Sequence, residues 1–269
     1  MRLNPALIAA NPKYLSALKA QTKVNRRRLL EGNWFARPEG SSLFDRNWLH
    51  KRDRIPSGLQ LRAWDLAHSE PSDKNRYPDY TASLGMVKSS DGTYTIFGNY
   101  DPEIKDPKTD VVGRFRKRFG ERNQWMLQQA HWDGDDTIVV LPKENGAGKA
   151  QYEELCKMFT SEGFTVKGAD VGNMKGGKVK RFSSFSSACQ NGLVYIVEDS
   201  FENKATLEAF YKELEAFDGS PSTASSKDDW VDCASDLYIT CNRTKVHKAV
   251  ALPEINAPTL LAGHRKQIR

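Results

Sequence analysis

Asp65 stands within Ala63-Trp64-Asp65-Leu66-Ala67, a carboxylate with apolar residues on both sides. An acid in that setting is costly unless it is hydrogen-bonded, paired or metal-bound. Glu144 follows the β-branched run Thr137-Ile138-Val139-Val140 and Pro142. That places it just past a strand end, where a sheet fixes a side chain for catalysis or metal binding. Asp228 and Asp229 open a stretch of helical character, and Asp232 shares a face with Asp229. Each acid also has an ordinary use: a hydrogen-bonded strand acid, a solvated turn residue, a helix cap. Acids from a first strand, a second strand and a late helix together suggest a different chemistry. Clustered carboxylates repel one another and need divalent cations, and magnesium prefers such oxygen ligands. Two ions ~4 Å apart activate a water and stabilise the leaving oxygen of a phosphodiester. No Ser or His nucleophile is needed, and His68 and His131 read as structural or peripheral.

A phosphate loop is the rival reading of the glycine turn at 144–150. The GK pair of Gly148-Lys149 lacks the earlier Gly, since Lys143 stands there, and the Ser or Thr after it, since Ala150 stands there. Both requirements of a phosphate loop thus fail at this turn. The turn instead lets the chain bend into a helix while Glu144 stays at the end of the sheet.

The elements that must position these acids follow from spacing. LQLRAWDLA, from 59, reads as a strand ending on Asp65. YTASLGMVKSS and GTYTIFGNY form a hairpin about Ser90-Asp91-Gly92. Residues 108–130 read as a basic amphipathic helix with Val111, Val112, Phe115, Phe119 and Trp125-Met126 on its apolar side. A strand at 137–141, a helix at 149–162 and a short strand at Phe164-Thr165-Val166 come next. VGNMKGGKVK reads as a glycine and lysine loop, 179–190 as a helix, LVYIVED as a strand and 202–217 as a helix. Asp228 opens the last helix. This order gives an α/β fold, a mixed sheet flanked by helices, and acids so distributed would build a ribonuclease H-like site. Residues 1–55 read as an N-terminal arm with a helix at 14–30, and 56–269 as the main domain.

The composition supports a globular domain: 269 residues, 39% hydrophobic and 28% charged. No apolar run approaches the roughly 18 residues of a membrane span, and the N-terminus carries no secretory signal, so a cytoplasmic location is expected. The four cysteines have neither zinc nor disulfide spacing. The net charge of +6 is concentrated in clusters, at Arg26–Arg28, Lys51–Arg54, Arg114–Arg122 and Lys175–Arg181. Such clusters suit a polyanion, whose counterions are released on binding.

Several ordered motifs resemble the nuclease domain of tailed-bacteriophage terminase large subunits, the DNA-packaging motors. They are Leu30-Glu31-Gly32-Asn33-Trp34, Phe44-Asp45-Arg46-Asn47-Trp48, Trp64-Asp65-Leu66-Ala67 with Asp79-Tyr80-Thr81-Ala82, and Asp133-Gly134 before Leu141-Pro142-Lys143-Glu144-Asn145-Gly146-Ala147-Gly148-Lys149. Lys178-Val179-Lys180-Arg181, Glu213-Leu214-Glu215-Ala216-Phe217 and Asp228-Asp229-Trp230-Val231-Asp232-Cys233 complete the order. The resemblance implies a ribonuclease H-like fold and a metal-dependent endonuclease that cuts concatemeric double-stranded DNA during genome packaging. It implies Asp65, Glu144 and Asp229 as catalytic metal ligands for two Mg2+ or Mn2+ ions, with Asp228 either a fourth ligand or exchanging roles with Asp229. Asp79 and Asp232 would stand beside them. Glu144 departs from the usual Asp, and Cys233 from the usual Ala in a helix expected to pack inward.

Lys175, Lys178, Lys180 and Arg181 are the DNA-binding candidates, on a mobile flap. The resemblance also implies the terminase ATPase domain, the small terminase subunit and the portal as partners, in the cytoplasm of an infected bacterial host. No Walker A spacing is present, so the chain reads as an excised domain or a separately encoded nuclease, monomeric when isolated, with 1–55 coming from the motor side. Two other readings stay open at this point: a ribonuclease H-like junction resolvase, and a basic DNA-binding module without catalysis.

Overall fold

The computed structural model describes residues 43–67, 79–100, 113–143, 148–170, 177–220 and 227–244, with isolated positions at 20 and 26. The expected helix at 14–30 therefore lies essentially outside the described residues, as does the turn that carries Glu144. Among the described residues, eight strands form one mixed sheet: β1 His50–Lys51, β2 Leu59–Asp65, β3 Thr81–Lys88, β4 Tyr94–Phe97, β5 Arg114–Phe115, β6 Ile138–Lys143, β7 Val166–Asp170 and β8 Val194–Val197. The described helices that flank it are α1 Phe119–Asp133, α2 Gly148–Ser161, α3 Gly177–Gln190, α4 Lys204–Ala216 and α5 Asp229–Arg243. The strand order is β1-β8-β4-β3-β2-β6-β7, with β5 paired to β3. β2 is thus an interior strand, antiparallel to β3 and parallel to β6.

The sequence of β2 dictates its two faces, because successive side chains point to opposite sides of a strand. Leu61 and Ala63 turn toward α3, α4 and α5, into a core that includes Phe182, Phe185, Phe210, Trp230 and Val231. Trp64 turns the other way, with Phe115, Met126, Leu155 and Phe159 beneath α1 and α2. Asp65 is in phase with Leu61 and Ala63, so the strand delivers its carboxylate to the α5 side. Burying each large apolar side chain contributes about 1.5–3 kcal/mol.

Arg62 takes the opposite face and is 1% exposed. Its guanidinium forks onto both oxygens of Asp133 at 2.6 and 2.7 Å and donates to the Gly98 carbonyl at 2.9 Å. This pair ties the interior strand to the last turn of α1. Gln129 donates to the same Asp133 carboxylate, so the buried charges are fully partnered.

The hairpin is found where Ser90-Asp91-Gly92 marks it. Gly92 adopts φ +85°, and the Thr93 N–H donates to the Asp91 side chain at 2.9 Å. Of the helix expected over 108–130, residues 108–112 with Val111 and Val112 lie outside the described residues, and from 113 onward the helix starts at Phe119. Arg114 and Phe115 form a strand on β3 instead, with Thr81 opposite Phe115. Tertiary pairing overrides the helical spacing there. Phe115 packs against Trp64, while Phe119, expected on the buried face, is exposed and Arg122 and Gln129 are buried.

Residues 43–51, within the stretch read as an arm, also pack onto this sheet. Phe44 is fully buried against Phe182 and Phe185, and β1 pairs in parallel with β8.

Candidate active site

Two elements bring acids together. β2 ends on Asp65, and α5 starts with Asp229 and reaches Asp232 one turn later. The amphipathic spacing of α5 explains its placement. Trp230, Val231, Ala234, Leu237 and Cys241 bury one side against the sheet. Cys233 packs inward as expected, its thiol 3.6 Å from the carbonyl of Ala82, and Ala82 is the register partner of Asp65.

Asp228 occupies the N-cap position of α5 but makes no capping hydrogen bond. The cap comes instead from Glu213 of α4. Its Oε1 accepts the Trp230 N–H at 2.5 Å and the Val231 N–H at 3.3 Å. Free N–H groups at a helix start favour a carboxylate, and here the acid arrives from another helix. Arg114 Nη1 lies 2.6 Å from Glu213 Oε2 and 3.6 Å from Asp229 Oδ2, and its guanidinium stacks on Trp230. Asp229 is thereby fixed between a capped helix turn and an arginine. The sequence reading used neither Arg114 nor Glu213 as a site residue. A signal existed for Glu213: it sits among Phe210, Tyr211, Leu214 and Phe217, on the apolar side of its helix.

Electrostatics show how crowded the acids are. Part of the Asp65 residue reaches solvent, but dense packing around its carboxyl group raises its pKa well above the usual range, with further increments from Asp232, Asp229 and Asp228. Burial pushes Asp229 up to about 6 against the pull of Arg114 and Lys227. Burial and then Asp229 push Glu213 up to about 7.

Lys178 and Arg181 answer these charges. Lys178 contacts Asp228, and its Nζ lies 2.6 Å from Asp232 Oδ2. Arg181 Nη2 lies 3.1 Å from Asp232 Oδ1, and its Nε is 4.0 Å from Asp236. The part of the expected flap that falls on described residues, 177–181, is helical instead. Lys178, Lys180 and Arg181 belong to the first turns of α3, an ordered helix packed against α5, because Val179 and Phe182 are drawn into the core. Lys175 lies outside the described residues. Asp79 pairs with Lys227 at the surface and adds to the negative field on Asp229. Lys149 sits 3.7 Å from Glu153 on the exposed side of α2.

Glu144 lies beyond the last described residue of β6, and that strand runs parallel to β2 with Ala63 opposite Val140. Among the described residues, no three acidic, histidine or cysteine side chains are gathered closely enough to hold a metal ion. The donor set present nevertheless fits a hard divalent cation: the oxygens are carboxylate oxygens. Asp229 Oδ2 is buried with no hydrogen-bond partner among the described residues.

An α/β domain with a carboxylate at the end of an interior strand, faced by acids on a helix packed across it, is built as a ribonuclease H-like domain. The family model for the terminase RNaseH-like domain matches residues 62–240, and the chain belongs to that family. A search of curated proteins gives no match. Among solved structures, the chain is similar to the large terminase nuclease of thermophilic phage G20c, at 16% identity and TM-score 0.42 over 74% of this chain and 97% of that one. The terminase nuclease domain of human cytomegalovirus, soaked with manganese and bound to an inhibitor, is similar at 11% identity and TM-score 0.47, over 76% and 100% of the two chains. The large terminase nuclease domain of Thermus phage P74-26 is similar at 13% identity and TM-score 0.37, over 71% and 90%.

Proposed function

We propose that this domain is a metal-dependent endodeoxyribonuclease that cuts concatemeric double-stranded DNA during phage genome packaging. The supporting observation is the crowding of Asp229 and Asp232 upon Asp65 at the end of an interior strand, in a chain of the terminase RNaseH-like family. Asp65, Asp229 and Glu144 are the proposed metal ligands, with Asp228 as a fourth. Asp79 and Asp232 are proposed to stand beside these ligands. Two Mg2+ or Mn2+ ions would supply an activated water and stabilise the leaving oxygen of the phosphodiester.

The chain's own residues do the positioning. Glu213 holds the first turn of α5, and Arg114 holds both Glu213 and Asp229. Lys178 and Arg181 restrain Asp228 and Asp232. Once the carboxylates have another cation, the ammonium and guanidinium are placed to meet DNA phosphates, as Lys175 and Lys180 are proposed to do.

By extension from the family, the partners are the terminase ATPase domain, the small subunit and the portal, in the host cytoplasm. Residues 1–55 would face the motor. No described helix is long and apolar enough to cross a membrane. The test is cleavage of supercoiled plasmid with Mn2+. The wild type should nick and linearise it, and Asp65→Asn should reduce cutting to background. Cutting unaffected by Asp65→Asn would overturn the assignment.

A further inference from the structure

A pocket of about 600 Å3 opens between the edge strand β7, the start of α3 and the second half of α5. It adjoins the carboxylates, because Arg181 lines it and also contacts Asp232. Its volume falls in the range that encloses a small molecule, roughly 300–1,000 Å3, and is far too small for a duplex.

The lining combines two chemistries. Among the described residues that line it, Lys167, Lys180, Arg181 and Arg243 bring four cations against one acid, Asp236. The Lys180 ammonium is exposed and makes no ion pair among the described residues, and Lys167 donates to the Thr244 hydroxyl at 2.7 Å with no carboxylate partner there. Arg181 Nε is buried and without a hydrogen-bond partner. Ile239, Ala169 and Gly168 supply an apolar surface between these charges. Cations for a phosphate around an apolar surface for a sugar and base make a nucleotide-shaped chemistry.

We propose that this pocket holds one unpaired nucleotide of the DNA strand next to the cut, gripped through its phosphate by Lys180, Lys167 and Arg243. The inference rests on the nuclease reading but is separable from it. It implies that the enzyme engages a strand locally freed from its complement, with the extruded nucleotide beside the carboxylates.

Binding without cleavage tests it. Fluorescence anisotropy would be measured in EDTA with a duplex carrying a short single-stranded extension, a blunt duplex of the same sequence, and the mononucleotide dAMP as competitor. The expected result is tighter binding of the extended duplex. The Lys167→Ala/Arg243→Ala variant, which leaves Lys180 in place, should lose about tenfold on the extended duplex and little on the blunt one. Its salt slope should flatten by about 0.7 per contact removed. Ile239→Trp keeps every charge but fills the pocket, and should abolish the preference for the extension while the melting temperature shows the fold intact. Competition by dAMP alone, with no preference for the extension, would place a free nucleotide there and overturn the strand assignment. Unchanged affinity and slope in both variants would overturn the pocket altogether. Plasmid cutting lost in Asp65→Asn would still leave the nuclease reading standing in that case.

Discussion

The Lys178 ammonium lies 2.6 Å from Asp232 Oδ2 and also contacts Asp228, bridging two acids of α5. Burial alone would lower the Lys178 pKa, but Asp232 and Asp228 hold it raised, so the side chain stays a cation. A lysine in this place acts as the counter-ion of the cluster. Lys178→Met should therefore destabilise the metal-free domain by about 1–2 kcal/mol, less than a fully buried pair because the side chain is 33% exposed. Mn2+ should raise the melting temperature of the variant more than that of the wild type, since binding to the folded state stabilises by mass action. Equal metal-induced shifts would argue against this role.

Asp65 is held among repelling carboxylates in a packed site. A neutral isostere relieves that cost, so Asp65→Asn should stabilise the metal-free domain, on the order of 1 kcal/mol, while removing cleavage. Urea denaturation in EDTA reads the sign.

Stability of the metal-free domain should fall as pH rises from about 4.5 to 7. Asp229 and Glu213 have folded-state pKa values of about 6 and about 7, above their ordinary 3.8 and 4.5. Groups raised in this way contribute stability that is complete below the unfolded values and is lost as pH passes through the folded ones. Glu213→Gln keeps an acceptor for the Trp230 and Val231 N–H groups but removes one titration. Its denaturation free energy should vary less across that window, by on the order of 1–3 kcal/mol.

Arg62 and Asp133 are 1% and 6% exposed and fully partnered. Arg62→Ala leaves a buried carboxylate uncompensated and should cost about 3–5 kcal/mol. The shift in the urea midpoint checks it, and a loss under 1 kcal/mol would contradict the claim that this pair ties β2 to α1.

The acid-bearing skeleton was legible because its signals are local. The alternation of Leu61, Ala63 and Asp65 gives both the strand and the face of the carboxylate, and the helical spacing from Trp230 to Cys241 gives α5. Ser90-Asp91-Gly92 marks the hairpin by turn chemistry. What was not legible depends on partners far away in the chain. β5 forms because β3 offers an edge to Arg114 and Phe115, which no local spacing reveals. Lys178 and Arg181 look like loop cations in a glycine-rich run, yet the acids of α5 and the core around Phe182 order them as a helix. The cap of α5 by Glu213 joins two helices across a loop, so the sequence pointed to Asp228 instead. Arg62 is a cation inside an apolar strand, the same kind of signal as Asp65, and its partner Asp133 lies on α1.

Anomalous diffraction from crystals soaked in Mn2+ tests the central claim most directly. The account predicts two peaks about 4 Å apart, both within bonding distance of Asp65, with Asp229 and Glu144 completing the ligands. Peaks elsewhere, or saturating Mn2+ with no density on Asp65, would contradict it.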